Sequence, residues 1–280
     1  GFSGYVSEVL VLKYSSFENL LRAAADWHER QIIAVSDFDS DFVRVFNSSV
    51  IIIDPVDSRR NLGTAISPES VAKFMLAARN FLEKPSLDFF KEGNKKYRCR
   101  GSSKKLLLSN VLVVEFSHQK KSPDIIWGQL KRSIKAIAKQ LELGHFEVLR
   151  SSCITDEKSS AAVAFLLESI TLPPYTKRKG PEIFRRKDTA SFLSNRKRSK
   201  PLAIWLDREM RITMLIERRA TDARKFVKSL LLNHSENSGI SKDLIVNKLQ
   251  IYSGSDRKIL KGLAKEAVGD VVSTEHLIFR

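Results

Sequence analysis

Asp54-Pro55-Val56-Asp57-Ser58-Arg59-Arg60-Asn61-Leu62 follows directly on the apolar run Val50–Ile53, and this junction decides how the first third of the chain folds. A β-branched run that ends on Asp-Pro reads as a buried strand closed by a turn, because proline fixes φ and aspartate carboxylates accept from nearby amides. By itself, D-P-x-D is an ordinary turn in which Asp54 and Asp57 cap backbone N–H groups. Just upstream, Gln31–Val35 and Phe42–Phe46 have the same Val/Ile/Phe content, with Asp, Ser and Asn between them, so the three runs predict a small antiparallel sheet. Before them, Tyr5–Leu12 reads as a short helix, and Ser15 with Glu18 forms an S-x-x-E capping box opening a second helix to about Trp27. Downstream, Ser67-Pro68-Glu69 supplies a cap, an N1 proline and an early acid for a helix over Val71–Leu82, which Pro85 ends.

Lys91–Lys105 is polar and basic and reads as a linker or long loop leading into the apolar strand Val111–Phe116. Ser122-Pro123-Asp124 caps an amphipathic helix with Ile126, Leu130, Ile134, Ile137 and Leu141 on one face, closed by Gly144. Strands over 146–151 and 161–169, a helix over 188–194 and strands over 202–206 and 211–217 complete a β-α-β-β-α-β-β order, expected as an antiparallel sheet with helices on one face. Residues 221–280 read as mainly helical, with Thr221-Asp222 and Ser241-Lys242-Asp243 as caps. The fold class is therefore α+β, with expected regions 1–92, 93–220 and 221–280.

Composition bounds the partners. No apolar run approaches the roughly 20 residues that span a bilayer, so no membrane partner is expected. Cys99 and Cys153 cannot build a disulfide framework or a zinc site, which fits a reducing cytoplasm. Residue 1 begins within a motif without an initiator Met, and no targeting peptide is visible. Residues 1–90 carry nine Lys/Arg against twelve Asp/Glu, so the remaining residues hold +19 of the formal net charge of +16. This asymmetry points to a polyanion held by the later part of the chain. Residues 177–200 alone hold ten Lys/Arg against Glu182 and Asp188. The triplets Lys177-Arg178-Lys179, Arg185-Arg186-Lys187 and Arg196-Lys197-Arg198, set along a turn and a short helix, can track several RNA phosphates.

Three ordered strings carry a family resemblance: Gly1-Phe2-Ser3-Gly4-Tyr5, Asp54-Pro55-Val56-Asp57 with Arg60-Asn61, and Pro85-Ser86-Leu87-Asp88-Phe89-Phe90. Together they resemble archaeal-type CCA-adding tRNA nucleotidyltransferases, of the polymerase-β-like superfamily. The likeness continues more weakly through Ser122-Pro123-Asp124-Ile125, Leu149-Arg150-Ser151, Gly180-Pro181 and Phe192-Leu193-Ser194-Asn195, then fades beyond Ala220. It implies a nucleotide-recognition region, an RRM-like or ferredoxin-like sheet domain that holds tRNA, and a helical C-terminal segment.

The implied activity is template-independent addition and repair of the tRNA 3′-terminal CCA with CTP and ATP. The resemblance assigns Arg60, beside Asn61, to the incoming base. Guanidinium only donates, whereas cytosine N3 and adenine N1 accept, and uracil N3 and guanine N1 carry hydrogens. Asp54 and Asp57 are expected to shape the turn and orient Arg60. Ser3 and Tyr5 can approach the triphosphate or ribose, or serve as a helix cap and a core aromatic.

Asp37, Asp39 and Asp41 are not read as the superfamily's magnesium ligands, since no Gly-Ser turn precedes them; an acidic hairpin loop is expected instead. The resemblance therefore implies a Mg2+-binding catalytic head before Gly1, no catalytic or metal residue within these residues, and no activity for them alone. The tRNA acceptor stem and T arm are the implied partners, and a homodimer stays open. A poly(A) polymerase or oligoadenylate synthase shares D-P-x-D-x-x-x-N, and a non-catalytic RNA-binding module is the alternative from another class.

Overall fold

The computed structural model describes residues 1–38, 40–91, 102–195, 200–233, 239–241, 244, 249–256, 261–273 and 278–279. The chain forms two compact units, Gly1–Lys96 with Thr274–Arg280, and Tyr97–Ser273.

In the first unit, helices α1 (Gly4–Tyr14) and α2 (Phe17–Ala25) precede strand β1 (Gln31–Ile33), helix α3 (Ser40–Val45) and strand β2 (Val50–Ile52). After a 3-10 turn at Leu62–Ala65 comes helix α4 (Pro68–Glu83). Ser16, not Ser15, caps α2 by accepting from Asn19 N; Ser15 instead ends α1 in the left-handed region with φ 66°. Ser67 caps α4 as its sequence indicates.

The expected three-stranded antiparallel sheet is corrected. Phe42–Phe46 has the Val/Phe content of a strand, yet Ser40–Val45 winds into α3, and β1 pairs with β2 in parallel, Ile32 opposite Ile51. Parallel neighbours need a crossover, and α3 supplies one. The sequence sign of this arrangement is that Val50–Ile53 is apolar throughout rather than alternating, as suits a strand covered on both faces. Val50 and Ile52 face the core of α1, α2 and α4, and Ile51 and Ile53 pack with Ala34 and Val43. The Pro-Ser-Leu-Asp-Phe-Phe string turns the chain back onto α4: Ser86 caps a 3-10 turn at Leu87–Phe90, and Phe89 and Phe90 meet Phe81 edge-on at 5.4 and 5.6 Å.

The second unit contains α5 (Ser102–Ser109), β3 (Val111–Ser117), α6 (Pro123–Leu143), β4 (Val148–Thr155), β5 (Ser160–Leu167) and β6 (Tyr175–Glu182). Helix α7 (Arg186–Ser194), β7 (Ala203–Leu206), β8 (Arg211–Glu217), α8 (Ala223–Asn233), β9 (Gln250–Ser253) and α9 (Gly262–Val272) follow. The expected single sheet is two antiparallel sheets, ordered β4-β5-β3-β9 and β6-β8-β7. Strand β6 hides in the basic stretch read as a turn, because its lysines and arginine carry no apolar alternation. Helix α5 occupies part of the expected linker, and β9 lies between the helices of the C-terminal region. The proposed cap at Ser241-Lys242-Asp243 falls partly outside the described residues.

Helices cover the four-stranded sheet on both faces, not on one. Leu112, Val114, Phe116, Val163 and Phe165 pack under α6 and α8, whereas Val111, Val113, Ala162 and Ala164 meet α5 and α9. The alanines admit Ala264 and Ala267 of α9 at close range. An RRM-like RNA platform on this sheet is thus closed off by α9. At the β4–β5 turn, Asp156 is desolvated, but amides of Ser160, Ser159 and Lys158 outweigh that cost and hold its carboxyl at about 2.

Gly180 of β6 leaves room for α7: a Cβ there would sit 2.6 Å from the Phe192 ring and 2.8 Å from the Ile212 carbonyl. Gly180→Ala is expected to destabilise the chain by about 1–3 kcal/mol in denaturant unfolding, the usual cost of overpacking. Because folding depresses the Asp156 pKa, its contribution to stability is present above its ordinary value of 3.8 and is lost as pH falls through about 2. Protection of the Ser159 and Ser160 amides, taken relative to their intrinsic exchange rates at each pH, should fall across that window in wild type, and Asp156→Ala should abolish that fall.

Candidate nucleotide and RNA interface

The turn after β2 is built on two side chains. Asn61 is buried, and its Oδ1 accepts from Ile52 N at 3.0 Å and Gly63 N at 2.8 Å while Nδ2 donates to Ser48 Oγ at 2.7 Å. Asn61 also bridges Ile53, so the intervening residues form a loop whose two ends are fixed. Gly63 is required in this packing, since a Cβ would lie 2.1 Å from the Val50 carbonyl. Asn61 therefore supports the loop from beneath, and its polar atoms are occupied by the protein.

Asp54 is the second anchor. Its carboxylate is 5% exposed, accepts from Val56 N and from the Tyr5 hydroxyl, both at 2.9 Å, and lies 3.6 Å from Arg60 Nη1. The Val56 amide, the Tyr5 hydroxyl and the Arg60 charge together hold its pKa below the ordinary carboxylate value despite burial. In return, the hydrogen bond to Asp54 raises the Tyr5 phenol. Arg60 itself is 69% exposed, so its charge is oriented by Asp54 while most of the side chain faces solvent. Asp57 sits at the exposed tip: its carbonyl accepts from Arg60 N at 2.9 Å and its Oδ1 from Arg59 N at 3.0 Å.

Tyr5, Asp54 and Arg60 are thus brought together from residues 49 positions apart. Ser3 is instead the cap of α1, with Oγ accepting from Val6 N. Tyr5 is neither a core aromatic nor a cap; it is 43% exposed and joins α1 to the loop. Asp41 lies in the first turn of α3, 3.9 Å from Arg44, rather than in a hairpin between strands. Asp39 lies outside the described residues, and among those described no three His, Cys, Asp or Glu side chains cluster to hold a metal ion.

The basic stretch is divided by its strand geometry. On β6, Lys177 and Lys179 share one face, and Arg178 points to the other, where its guanidinium lies 5.6 Å from the Phe192 ring centre. Lys179 pairs with Glu209 at 3.0 Å. Arg185, Arg186 and Lys187 are exposed at the start of α7, where the helix dipole disfavours cations. Arg196, Lys197 and Arg198 lie outside the described residues. Ser48 and Gly63 also build the loop, and Arg218 and Arg219 follow β8, all four outside the motifs singled out above. The adjacent arginines were legible as a cationic pair ending β8, but nothing local marks Ser48 as the anchor of Asn61.

Residues 1–91 match the family described as tRNA nucleotidyltransferase, second domain, and residues 109–254 match CCA-adding enzyme, C-terminal domain. The chain is 30% identical over 266 residues to a CCA-adding enzyme of Saccharolobus shibatae, covering 95% of this chain and 58% of that protein. It is 30% identical over 240 residues to one of Methanothermobacter thermautotrophicus, covering 82% and 50%. Against one of Pyrobaculum neutrophilum it is 35% identical over 185 residues, covering 66% and 41%. The chain thus spans about half the length of these curated relatives.

Asn61→Ala leaves two buried amides without an acceptor and is expected to cost about 2–4 kcal/mol in urea unfolding. Asp54 contributes stability that is present above its ordinary value of 3.8 and is lost as pH falls through its lowered folded value. Asp54→Asn should bring the Tyr5 titration, followed by NMR, back toward an ordinary phenol; an unchanged Tyr5 titration contradicts the contact.

Proposed function

Because the chain belongs to the family of CCA-adding enzymes, we propose that it supplies base recognition and tRNA binding for template-independent addition of the 3′-terminal CCA with CTP and ATP. The observation that supports this most is Arg60: an exposed guanidinium held at the end of a buried strand by a carboxylate that is itself tied to Tyr5. A base offering an acceptor at cytosine N3 or adenine N1 can receive a hydrogen bond from Arg60, whereas uracil N3–H and guanine N1–H present a donor to a donor. In this reading Asp54 and Tyr5 position Arg60, Asp57 and Asn61 hold its loop, and Ser3 acts through α1. The magnesium ions of such a transfer find no fitting carboxylate set among the described residues, so no step is assigned to Asp37 or Asp41. We place metal binding on residues outside this sequence and expect these 280 residues alone to incorporate neither nucleotide.

For RNA, the acceptor stem and T arm are the proposed partners. Their binding follows the phosphates rather than the bases, because every tRNA must be accepted. Lys177, Arg178, Arg185, Arg186 and Lys187 supply exposed cations in this scheme. With the four-stranded sheet covered, this reading assigns the grip to the β6-β8-β7 sheet and to loops rather than to a face of the larger sheet.

Three measurements test the proposal. In an enzyme that contains this chain, Arg60→Ala should relax discrimination of CTP and ATP against UTP and GTP by about 10-fold or more, with tRNA affinity nearly unchanged. Unaltered nucleotide selectivity removes Arg60 from base recognition. The chain as given should bind tRNA with an affinity that falls steeply with salt, and salt-independent binding contradicts the phosphate grip. Incorporation of CTP or ATP by these residues alone overturns the placement of the metal site.

A further inference from the structure

Within the second unit, the C-terminal end of α6, strand β6 and the segment after β8 enclose a cavity of about 750 Å3. Arg178, Arg218 and Arg219 line it, with His145, Glu217 and Phe226. Arg218 is fixed at its backbone, its N donating to the Pro174 carbonyl at 2.8 Å. Its side chain is not satisfied: Nε and Nη1 are buried and donate to nothing among the described residues. These atoms carry more than half of the guanidinium's donors. Buried donors are nearly always paired, and leaving one unpaired is costly. The acceptor that Arg218 lacks is therefore sought in a ligand.

The surroundings select the ligand's charge. Three guanidinium groups face one carboxylate, Glu217, and the end of α6, whose carbonyls contribute about half a negative charge. The positive charge prevails, so the ligand is an anion. The Phe192 ring under Arg178 holds that guanidinium in place before anything binds. The cavity is far larger than a single bare oxyanion requires, and leaves space for the groups attached to it. The excess of +19 on residues 91–280 makes a polyanion the matching partner.

We propose that Arg218, together with Arg178 and Arg219, forms a phosphate pocket that takes a backbone phosphodiester of bound RNA. This assignment rests on the RNA-binding reading above and adds to it a defined point of contact. Arg218 supplies donors that are desolvated in advance, and Arg178 and Arg219 supply charge at the mouth. Arginine suits this task better than lysine, because its planar fork can meet two phosphate oxygens at once.

The test compares the full 280-residue wild type with Arg218→Gln and with Arg219→Gln, an exposed site whose change leaves folding intact. Binding of a tRNA acceptor minihelix is measured by fluorescence anisotropy over a salt series, and thermal melting is followed with and without inorganic phosphate. Arg218→Gln is expected to weaken minihelix binding about 10-fold and to reduce the salt slope by about one. Its Tm without ligand should equal or exceed that of wild type, because a buried unpaired charge has been removed. Arg219→Gln should weaken binding about 3-fold through the charge alone.

Wild-type minihelix binding that is salt-dependent and unchanged in both variants shows a solvent-filled cavity; the phosphate pocket then falls and the broader RNA reading stands. Absence of minihelix binding by the wild type removes both. A melting shift with inorganic phosphate that Arg218→Gln abolishes, with minihelix affinity unaltered, assigns the pocket to free phosphate and overturns the RNA contact.

Discussion

A strand that is apolar on both faces must be covered twice, and this requirement organises each unit of the chain. Val50–Ile53 is almost wholly buried and is flanked by α1, α2 and α4 on one side and by Ala34 and Val43 on the other. In the second unit, β3 and β5 are sealed between α6 with α8 and α5 with α9. Once both faces are closed, a ligand can meet these sheets only at strand ends, edges and loops. The Arg60 loop begins at the end of β2, where that burial stops, whereas the Arg218 pocket lies at the end of β8 in the separate three-stranded sheet.

The two sites treat arginine differently. Arg60 is exposed and oriented by a buried carboxylate, so its direction is fixed while its donors remain accessible. Asp54 stays ionised in that environment because an amide, a phenol and a guanidinium all favour its charged form. Arg218 has the opposite arrangement: its Nε and Nη1 are desolvated and find no acceptor among the described residues. The first geometry suits discrimination between edges of a base, and the second suits capture of a charge of fixed shape.

The Asp-Pro turn, the α4 cap and the amphipathic α6 were legible because each is set by neighbours in sequence: proline φ, a serine accepting from an amide one turn on, and an apolar period of 3.6. Legibility failed where local signals were ambiguous. Phe42–Phe46 carries a strand-like Val/Phe content, and only the crossover between β1 and β2 makes it helical. Strand β6 carries charge where apolar alternation is normally sought, and it is held in the sheet by its ladder to β8. In the same way, the cap of α2 moved by one residue because Ser15 is already committed to ending α1.

The sequence by itself determined that the chain is α+β, that its later part carries the positive charge, and that its ordered motifs resemble CCA-adding enzymes, because composition and short-range chemistry survive without a fold. Tertiary structure alone decided that Tyr5 reaches Asp54, that Asn61 leans on Ser48, that Lys177 and Arg178 part to opposite faces, and that Arg218 Nε and Nη1 are buried without an acceptor among the described residues. Each of those depends on residues far apart in the chain or on the direction of a side chain, and burial converts such proximity into chemistry by removing water as the competing partner.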